Sequence, residues 1–129
     1  MAGKGEIRSY RDLLIWQKGM ALAKQVYAMT SAFPGDERFG LTAQMRRAVV
    51  SVPSNIVEGR AWRGRREFVQ FLSHAEGSLA ELDTQLTLAV ELGYCRPSDA
   101  QGSVATIAEL QKMIASLRGK LAAHLATNH

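Results

Sequence analysis

The sequence predicts an all-α protein: an antiparallel, up-down-up-down four-helix bundle that forms one domain over residues 1–129. Two observations predict it. Four segments repeat apolar residues at intervals of three and four, and short stretches containing proline or glycine separate them. No segment shows the alternation of a strand, and short connections make consecutive helices antiparallel. We expect helices at about residues 12–31, 41–60, 65–92 and 98–126.

The first helix is expected to begin at Asp12, a favourable N-cap residue. It should end at Phe33-Pro34-Gly35, because the residue before a proline is pushed out of the helical region. Its predicted inward stripe is Leu13, Trp16, Met20, Ala23, Tyr27 and Thr30.

The second helix contains a proline within its apolar pattern. Pro53 removes one backbone donor and clashes with the carbonyl of Val49. Ile56 nevertheless stays in phase with Val52, which favours a helix kinked at Pro53 and reaching about Gly59. The predicted inward positions are Leu41, Met45, Ala48, Val52 and Ile56.

The third helix shows a heptad seam, and the fourth an apolar stripe. Mid-helix, Gly77 costs about 1 kcal/mol relative to alanine unless a neighbouring helix approaches closely. Gly93 should end the third helix, and Ser98 or Asp99 should cap the fourth. The seam is Phe68, Leu72, Ala75, Leu79, Leu82, Leu86 and Ala89. The stripe is Ile107, Leu110, Ile114, Leu117, Leu121 and Leu125, supported by Val104 and Ala108.

The basic residues are concentrated in one segment. Residues 42–66 hold six arginines and one glutamate, a net charge of +5, against +4 for the whole chain. Guanidinium groups bind phosphates with paired hydrogen bonds and an indole ring stacks on bases, so this composition is typical of a nucleic-acid contact. The candidate binding residues are Arg46, Arg47, Arg60, Trp62, Arg63, Arg65 and Arg66. Two interpretations stay open beside it: a solvated, arginine-rich helix junction, and a Trp62 that packs inside the protein or between subunits.

Polar residues surround Pro53. Ser51, Ser54 and Asn55 could donate hydrogen bonds to carbonyls near the proline. Alternatively, Asn55 and Glu58 could form a polar functional site, and both interpretations stay open.

Nothing in the sequence predicts an enzyme, a metal site or a cofactor. The Glu-x-x-His motif of di-iron bundles is missing, and so are a glycine-rich phosphate loop and a nucleophile elbow. We interpret His74 as a surface or interface residue, and Cys95 as a packing residue near a helix end. Because no long apolar run or signal sequence occurs, we expect a cytoplasmic protein with no membrane partner.

Several long motifs occur together and in order. They are DLLIWQKGMALAKQVY at 12–27, FPGDERFGLTAQMRRAVVSVPSNIVEG at 33–59, EFVQFL at 67–72 and GSLAELDTQL at 77–86. On these motifs the chain resembles the 23S rRNA intervening-sequence protein family over residues 10–94. In the second motif, Arg46 and Arg47 match the family's arginine-rich helix turn. Ser51, Pro53, Ser54, Asn55, Glu58 and Gly59 match its Ser-x-Pro-Ser-Asn-x-x-Glu-Gly pattern.

The resemblance implies a left-handed, up-and-down bundle that assembles into a ring of five. Related accessory proteins of diversity-generating retroelements are basic pentamers that bind a reverse transcriptase and nucleic acid. Two functions are therefore expected: a homo-oligomer that binds RNA or DNA, or a protein-binding or structural adaptor. In the adaptor, the arginines would pair across subunits with acidic residues, namely Glu58, Glu67, Glu76 or Glu81.

Overall fold

The computed structural model describes residues 13–61 and 64–127, and this part of the chain contains four α-helices and no strand. The helices are α1 (Leu14–Thr30), α2 (Leu41–Ala61), α3 (Arg65–Glu91) and α4 (Pro97–Thr127), with a short 3-10 helix at Gly35–Glu37. Helices α1 and α3 each pack against both α2 and α4, so the four helices surround a common core. The predicted all-α class is confirmed, and the arrangement is consistent with a four-helix bundle.

Helices α2 and α3 bury the residues that their apolar spacing predicts. All five predicted positions of α2 are buried, and Met45, Val52 and Ile56 are completely enclosed. Six of the seven seam positions of α3 are buried as well, and Phe68 is partly buried against them. Burial of these side chains is the main stabilising contribution to the fold.

Helix α1 turns to the core a face that only partly overlaps the predicted stripe. Ala23 and Thr30 are buried as predicted, and Leu13 and Trp16 pack partly buried against the core. It buries Ile15, Gly19, Leu22, Ala23, Val26 and Thr30. Met20 and Tyr27, which belonged to the predicted stripe, are 36% and 42% exposed. Gly19 lies on the buried face, and a Cβ there would be in ordinary van der Waals contact with the Cδ of Pro53 on α2, at 3.4 Å. The core encloses the face that carries Ile15, Leu22 and Val26, and the spacing alone did not distinguish this face from its neighbour. The predicted N-cap, Asp12, lies outside the described residues.

Helix α4 also departs from the prediction in its first turns. It begins at Pro97, which suits a first helical position because the missing N–H would have no helical partner there. Asp99 is therefore the third residue of the helix and not its N-cap. Its Oδ2 accepts a hydrogen bond from the Arg96 N–H at 3.0 Å. Val104 and Ala108 are exposed, whereas Ala100 and Ser103 are buried in their place.

The second half of α4 is less enclosed than its apolar stripe predicts. Leu117, Leu121 and Leu125 are only partly buried. Ile15, in the first turn of α1, already lies beside Ser116 and Leu117. The last turns of α4 therefore extend past the beginning of α1 and lack its cover.

Glycines mark the end of α3 and the contact between α2 and α3. Gly93 has a φ of +77°, and the N–H groups of Gly93 and Tyr94 donate to the carbonyls of Val90 and Ala89 at 3.0 and 2.9 Å. This hydrogen-bonding pattern ends α3 at the predicted glycine. Gly59, by contrast, does not end α2, which continues without a break through Pro53 to Ala61. A Cβ at Gly59 would lie 2.8 Å from the Phe71 Cβ, so the close approach of α3 requires glycine there.

None of the helices in the described part of the chain is both long and apolar enough to cross a membrane.

Candidate nucleic-acid interface at the junction of α2 and α3

Arg46 is half-buried and is held against the end of α1. Its Nε donates to Thr30 Oγ1 at 2.9 Å, and one terminal nitrogen donates to the Tyr27 carbonyl at 3.3 Å. The guanidinium also lies 4.5 Å from the centre of the Tyr27 ring. A cation at the last carbonyls of a helix is favourable, so Arg46 fastens α2 to α1.

The other described arginines of the predicted cluster are exposed. Arg60 lies in the last turn of α2, while Arg65 and Arg66 begin α3. These three residues, the junction arginines, make no hydrogen bond or ion pair with another residue of the described chain. Arg47 is exposed too, but it lies thirteen residues before Arg60 on the same helix, roughly 20 Å along the axis. The seven predicted residues therefore do not form one compact patch.

The position of the junction arginines raises the local electrostatic potential. The first turn of a helix carries partial positive charge on its free N–H groups. The N-cap residue of α3, Gly64, has no side chain that could accept a hydrogen bond from them. Arg65 and Arg66 add two cations at this unfavourable place. Glu67 offsets part of the charge, since its carboxylate lies against Gly64, and Glu58 is exposed nearby on α2. Trp62 and Arg63, also predicted to bind, lie outside the described residues.

The polar residues around Pro53 are engaged within the chain. Ser51 Oγ donates to the Ala48 carbonyl at 2.6 Å and contacts Ser78 Oγ of α3 at 2.5 Å. Asn55 Nδ2 donates to the Ser51 carbonyl at 2.7 Å. Ser54 and Glu58 are exposed and do not join this network. The predicted polar cluster is thus divided between helix-stabilising hydrogen bonds and the surface.

The connection between α1 and α2 contains interactions that the sequence pattern does not predict. Glu37 Oε1 accepts the Leu41 N–H at 3.2 Å, and Tyr94 donates its hydroxyl proton to Glu37 Oε2 at 2.8 Å. These two hydrogen bonds lower the pKa of Glu37, and the same contact raises the pKa of Tyr94. Phe39, two residues after Glu37, is 88% exposed. In the sequence, the feature that could have indicated this exposed residue is an aromatic side chain between Arg38 and Gly40, in a loop.

Cys95 and Tyr94 line a hollow at the surface of the helices. This hollow, of about 530 Å³, lies between α1 and the start of α4. Burial and the nearby Asp99 raise the pKa of the Cys95 thiol, which keeps it protonated and weakly nucleophilic. Across residues 13–61 and 64–127, no three His, Cys, Asp or Glu side chains gather as metal ligands would.

Comparisons with known proteins agree with this architecture. A family model described as 23S rRNA-intervening sequence protein matches residues 11–116. A crystal structure from Bacteroides thetaiotaomicron, of a protein with unknown function from the S23 ribosomal protein family, is similar with a TM-score of 0.73 at 19% sequence identity. The alignment covers 81% of this chain and 98% of that one, and at this identity the likeness shows the fold alone. No curated protein matches the chain.

Proposed function

The chain belongs to the 23S rRNA-intervening sequence protein family, and from this premise we propose that it is a non-enzymatic homo-oligomer that binds the phosphate backbone of RNA or DNA. The junction arginines Arg60, Arg65 and Arg66 would make the contact, together with the neighbouring Trp62 and Arg63. The observation that carries the proposal is the exposure of these three cations without a partner elsewhere in the described chain. A cytoplasmic location fits such partners.

Two physical arguments support phosphate as the ligand. Guanidinium groups bind phosphate oxygens in pairs, and such charge-assisted hydrogen bonds are stronger than those between neutral groups. Arg65 and Arg66 also stand at a helix N-terminus, where a cation is unfavourable in the free protein and an anion is favourable. Binding of an anion would relieve that repulsion. Because the contacts are to backbone, we expect little preference for sequence.

The proposed architecture is an up-down-up-down bundle with α2 kinked at Pro53. The contacts between helices support it, since the end of α1 meets the beginning of α2 at Thr30 and Arg46, and the end of α2 meets the beginning of α3 at Gly59 and Phe68. Both loops then connect adjacent helix ends. The junction arginines would lie together at one end of each bundle. In a ring of five chains, the number that family resemblance predicts, they would form a circle of positive charge that attracts nucleic acid.

Fluorescence anisotropy of labelled single-stranded RNA and duplex DNA, titrated at several salt concentrations, tests the proposal. Each phosphate contact on a single strand contributes about −0.7 to the log–log slope of affinity against salt. The double variant Arg65→Gln with Arg66→Gln should flatten that slope by about 1.4 and weaken RNA binding roughly tenfold or more. The matched control, Lys24→Gln with Lys112→Gln, removes two exposed cations elsewhere and should change the slope much less.

The adaptor function makes the opposite prediction for the same region. If the arginines pair with glutamates across subunits, Arg63→Glu with Arg66→Glu should break the oligomer. If they bind phosphate, that variant should abolish RNA binding and leave the oligomer intact. Wild-type protein that binds neither RNA nor DNA at low salt would rule out the nucleic-acid function.

A further inference from the structure

The most exposed apolar side chain of the described part of the chain is presented by a well-anchored loop. Phe39 is 88% exposed. Its loop is fixed on both sides: the Gly40 N–H donates to the Glu37 carbonyl at 3.0 Å, and the Arg38 N–H donates to the Gly35 carbonyl at 3.1 Å. Glu37 adds its hydrogen bond to Tyr94. An aromatic residue on an anchored backbone loses less conformational entropy when a partner covers it than one on a mobile loop, and aromatic residues are common at the centre of protein interfaces.

An open hollow lies between α3 and α4, at the same end of the helices as Phe39. Its volume is about 290 Å³, and apolar side chains form most of its lining, including Val90, Ala100 and Val104. Val104 is 45% exposed at its edge. Cavities on the order of 150 Å³ already accept a benzene ring. The hollow, which we call the α3–α4 hollow, is therefore large enough for a phenyl group.

The two features lie on opposite sides of the helix arrangement. Phe39 follows α1 and precedes α2, and the hollow lies between α3 and α4, whereas Tyr94 and Glu37 connect the two loops at one end. A rotation about an axis parallel to the helices would therefore carry Phe39 of one copy toward the hollow of the next, without changing its level. Such a head-to-tail contact closes into a ring when the rotation angle between neighbouring copies is a whole-number fraction of 360°.

Charge at the two surfaces is complementary. Arg38 is exposed beside Phe39, with its guanidinium 5.4 Å from the centre of that ring. Glu91 is the charged residue in the lining of the hollow, and it is exposed as well. Neither forms an ion pair with another residue of the described ranges. An arginine and a carboxylate brought together at the edge of an apolar contact fix its orientation.

We propose that Phe39 of one chain inserts into the α3–α4 hollow of a second copy, with Arg38 pairing with Glu91 of that copy. This inference rests on the self-association proposed above and assigns the contact that produces it. It leaves the junction arginines outside the interface, since those lie where α2 ends and α3 begins, away from the loop that carries Phe39.

Molecular mass in solution, measured by light scattering or sedimentation equilibrium across protein concentrations, provides the test. Wild type should exceed the 14.1 kDa of one chain. Phe39→Ala and Val104→Arg should each weaken association at least tenfold while the melting temperature of the monomer stays unchanged, because both side chains are exposed within one chain. Leu14→Ala is the matched control, since it removes a 53% exposed leucine from the beginning of α1, the end remote from Phe39, and should leave the oligomer as it is.

Mixing the variants identifies the two contacting surfaces. Phe39→Ala retains an intact hollow, and Val104→Arg retains an intact Phe39. The mixture should therefore form dimers that contain one chain of each variant, and nothing larger. The single variants Arg38→Glu and Glu91→Arg should each weaken association, and the double variant should restore it. Dimers from the mixture and rescue by the double variant would together establish the contact.

Three results would overturn the inference. Wild-type mass in both Phe39→Ala and Val104→Arg would place the subunit contact elsewhere, and Phe39 would then be free to bind a different protein. A mixture that stays monomeric would show that the two surfaces do not pair. A monomeric wild type would remove self-association altogether. Anisotropy with RNA would remain a separate measurement in that case, because a monomer that still binds RNA keeps the phosphate contact of the junction arginines.

Discussion

Helix α2 carries arginines near both ends, and their surroundings differ between the two ends. Arg46 is engaged by Thr30, Tyr27 and the Tyr27 ring. Arg60, in the last turn, is exposed and has no partner in the described part of the chain. An arginine thus has a structural role at one end of the helix, whereas an arginine at the other end remains available to a ligand. The local surroundings decide the difference, because only the first end faces the carbonyls of a finishing helix.

The largest expected effect comes from separating the helices that hold the junction arginines. Gly59→Leu would place side-chain atoms where Phe68 and Phe71 already pack, 2.8–2.9 Å from the position of a Cβ. Overpacking of this kind costs about 2–3 kcal/mol of unfolding free energy. Urea denaturation followed by circular dichroism measures it.

Gly77→Ala is the control for this substitution, since a Cβ at Gly77 meets open space. It should instead stabilise the protein by about 0.5–1 kcal/mol, because alanine is the better helix former. Equal stability of Gly59→Leu and wild type would contradict the close approach of α2 and α3.

A smaller effect is expected from releasing the fixed arginine. Arg46→Ala removes the hydrogen bonds to Thr30 and Tyr27 and should cost about 1–2 kcal/mol of unfolding free energy. The neighbouring exposed residue provides the control, and Arg47→Ala should stay within about 0.5 kcal/mol of wild type. Chemical denaturation of both variants makes the comparison. Equal losses in the two would mean that Arg46 does not fasten α2 to α1.

The smallest effect concerns the loop that joins the two helices, and it depends on pH. Hydrogen bonds from Leu41 and Tyr94 lower the pKa of Glu37. A lowered pKa contributes stability above the pKa of the unfolded state, about 4.3, and that contribution is lost as the pH falls through the folded value. Glu37→Gln should therefore lower the melting temperature at pH 7, and the difference from wild type should shrink below about pH 4.

Tyr94→Phe should also lower the melting temperature at pH 7, because it removes one of the two hydrogen bonds to Glu37. A difference between Glu37→Gln and wild type that is constant from pH 7 to pH 3 would show that the charge of Glu37 does not stabilise the loop.

The all-α class and the family could be predicted from the sequence because both depend on long patterns. The seam of α3 repeats without a fault from Phe68 to Ala89, and only one face of that helix satisfies it. Helix α1 offered two adjacent apolar faces instead. Packing against α2 and α4 selected the face that carries Leu22 and Val26, and contacts of this kind join residues that lie far apart in the chain.

The candidate site was less predictable for a similar reason. Seven residues within a stretch of 21 look like one cluster in the sequence. A helix separates Arg47 from Arg60 by roughly 20 Å, and the last carbonyls of α1 engage Arg46. The apolar spacing did not mark Phe39, which lies in a loop outside the helices. One hydrogen bond of that loop joins Glu37 to Tyr94, 57 positions further along the chain.

The order in which the helices contact one another also has a consequence for folding kinetics. Among the α-helices of the described residues, three of the four pairs in contact are neighbours in the chain, and only the contact between α1 and α4 joins distant segments. Loops of a few residues close quickly, whereas the last contact must bring together the two ends of the described chain. We therefore expect fast folding, with the docking of α4 on α1 as the late step. Amide protons in the outer turns of α4 should exchange with solvent sooner than those of α2 and α3.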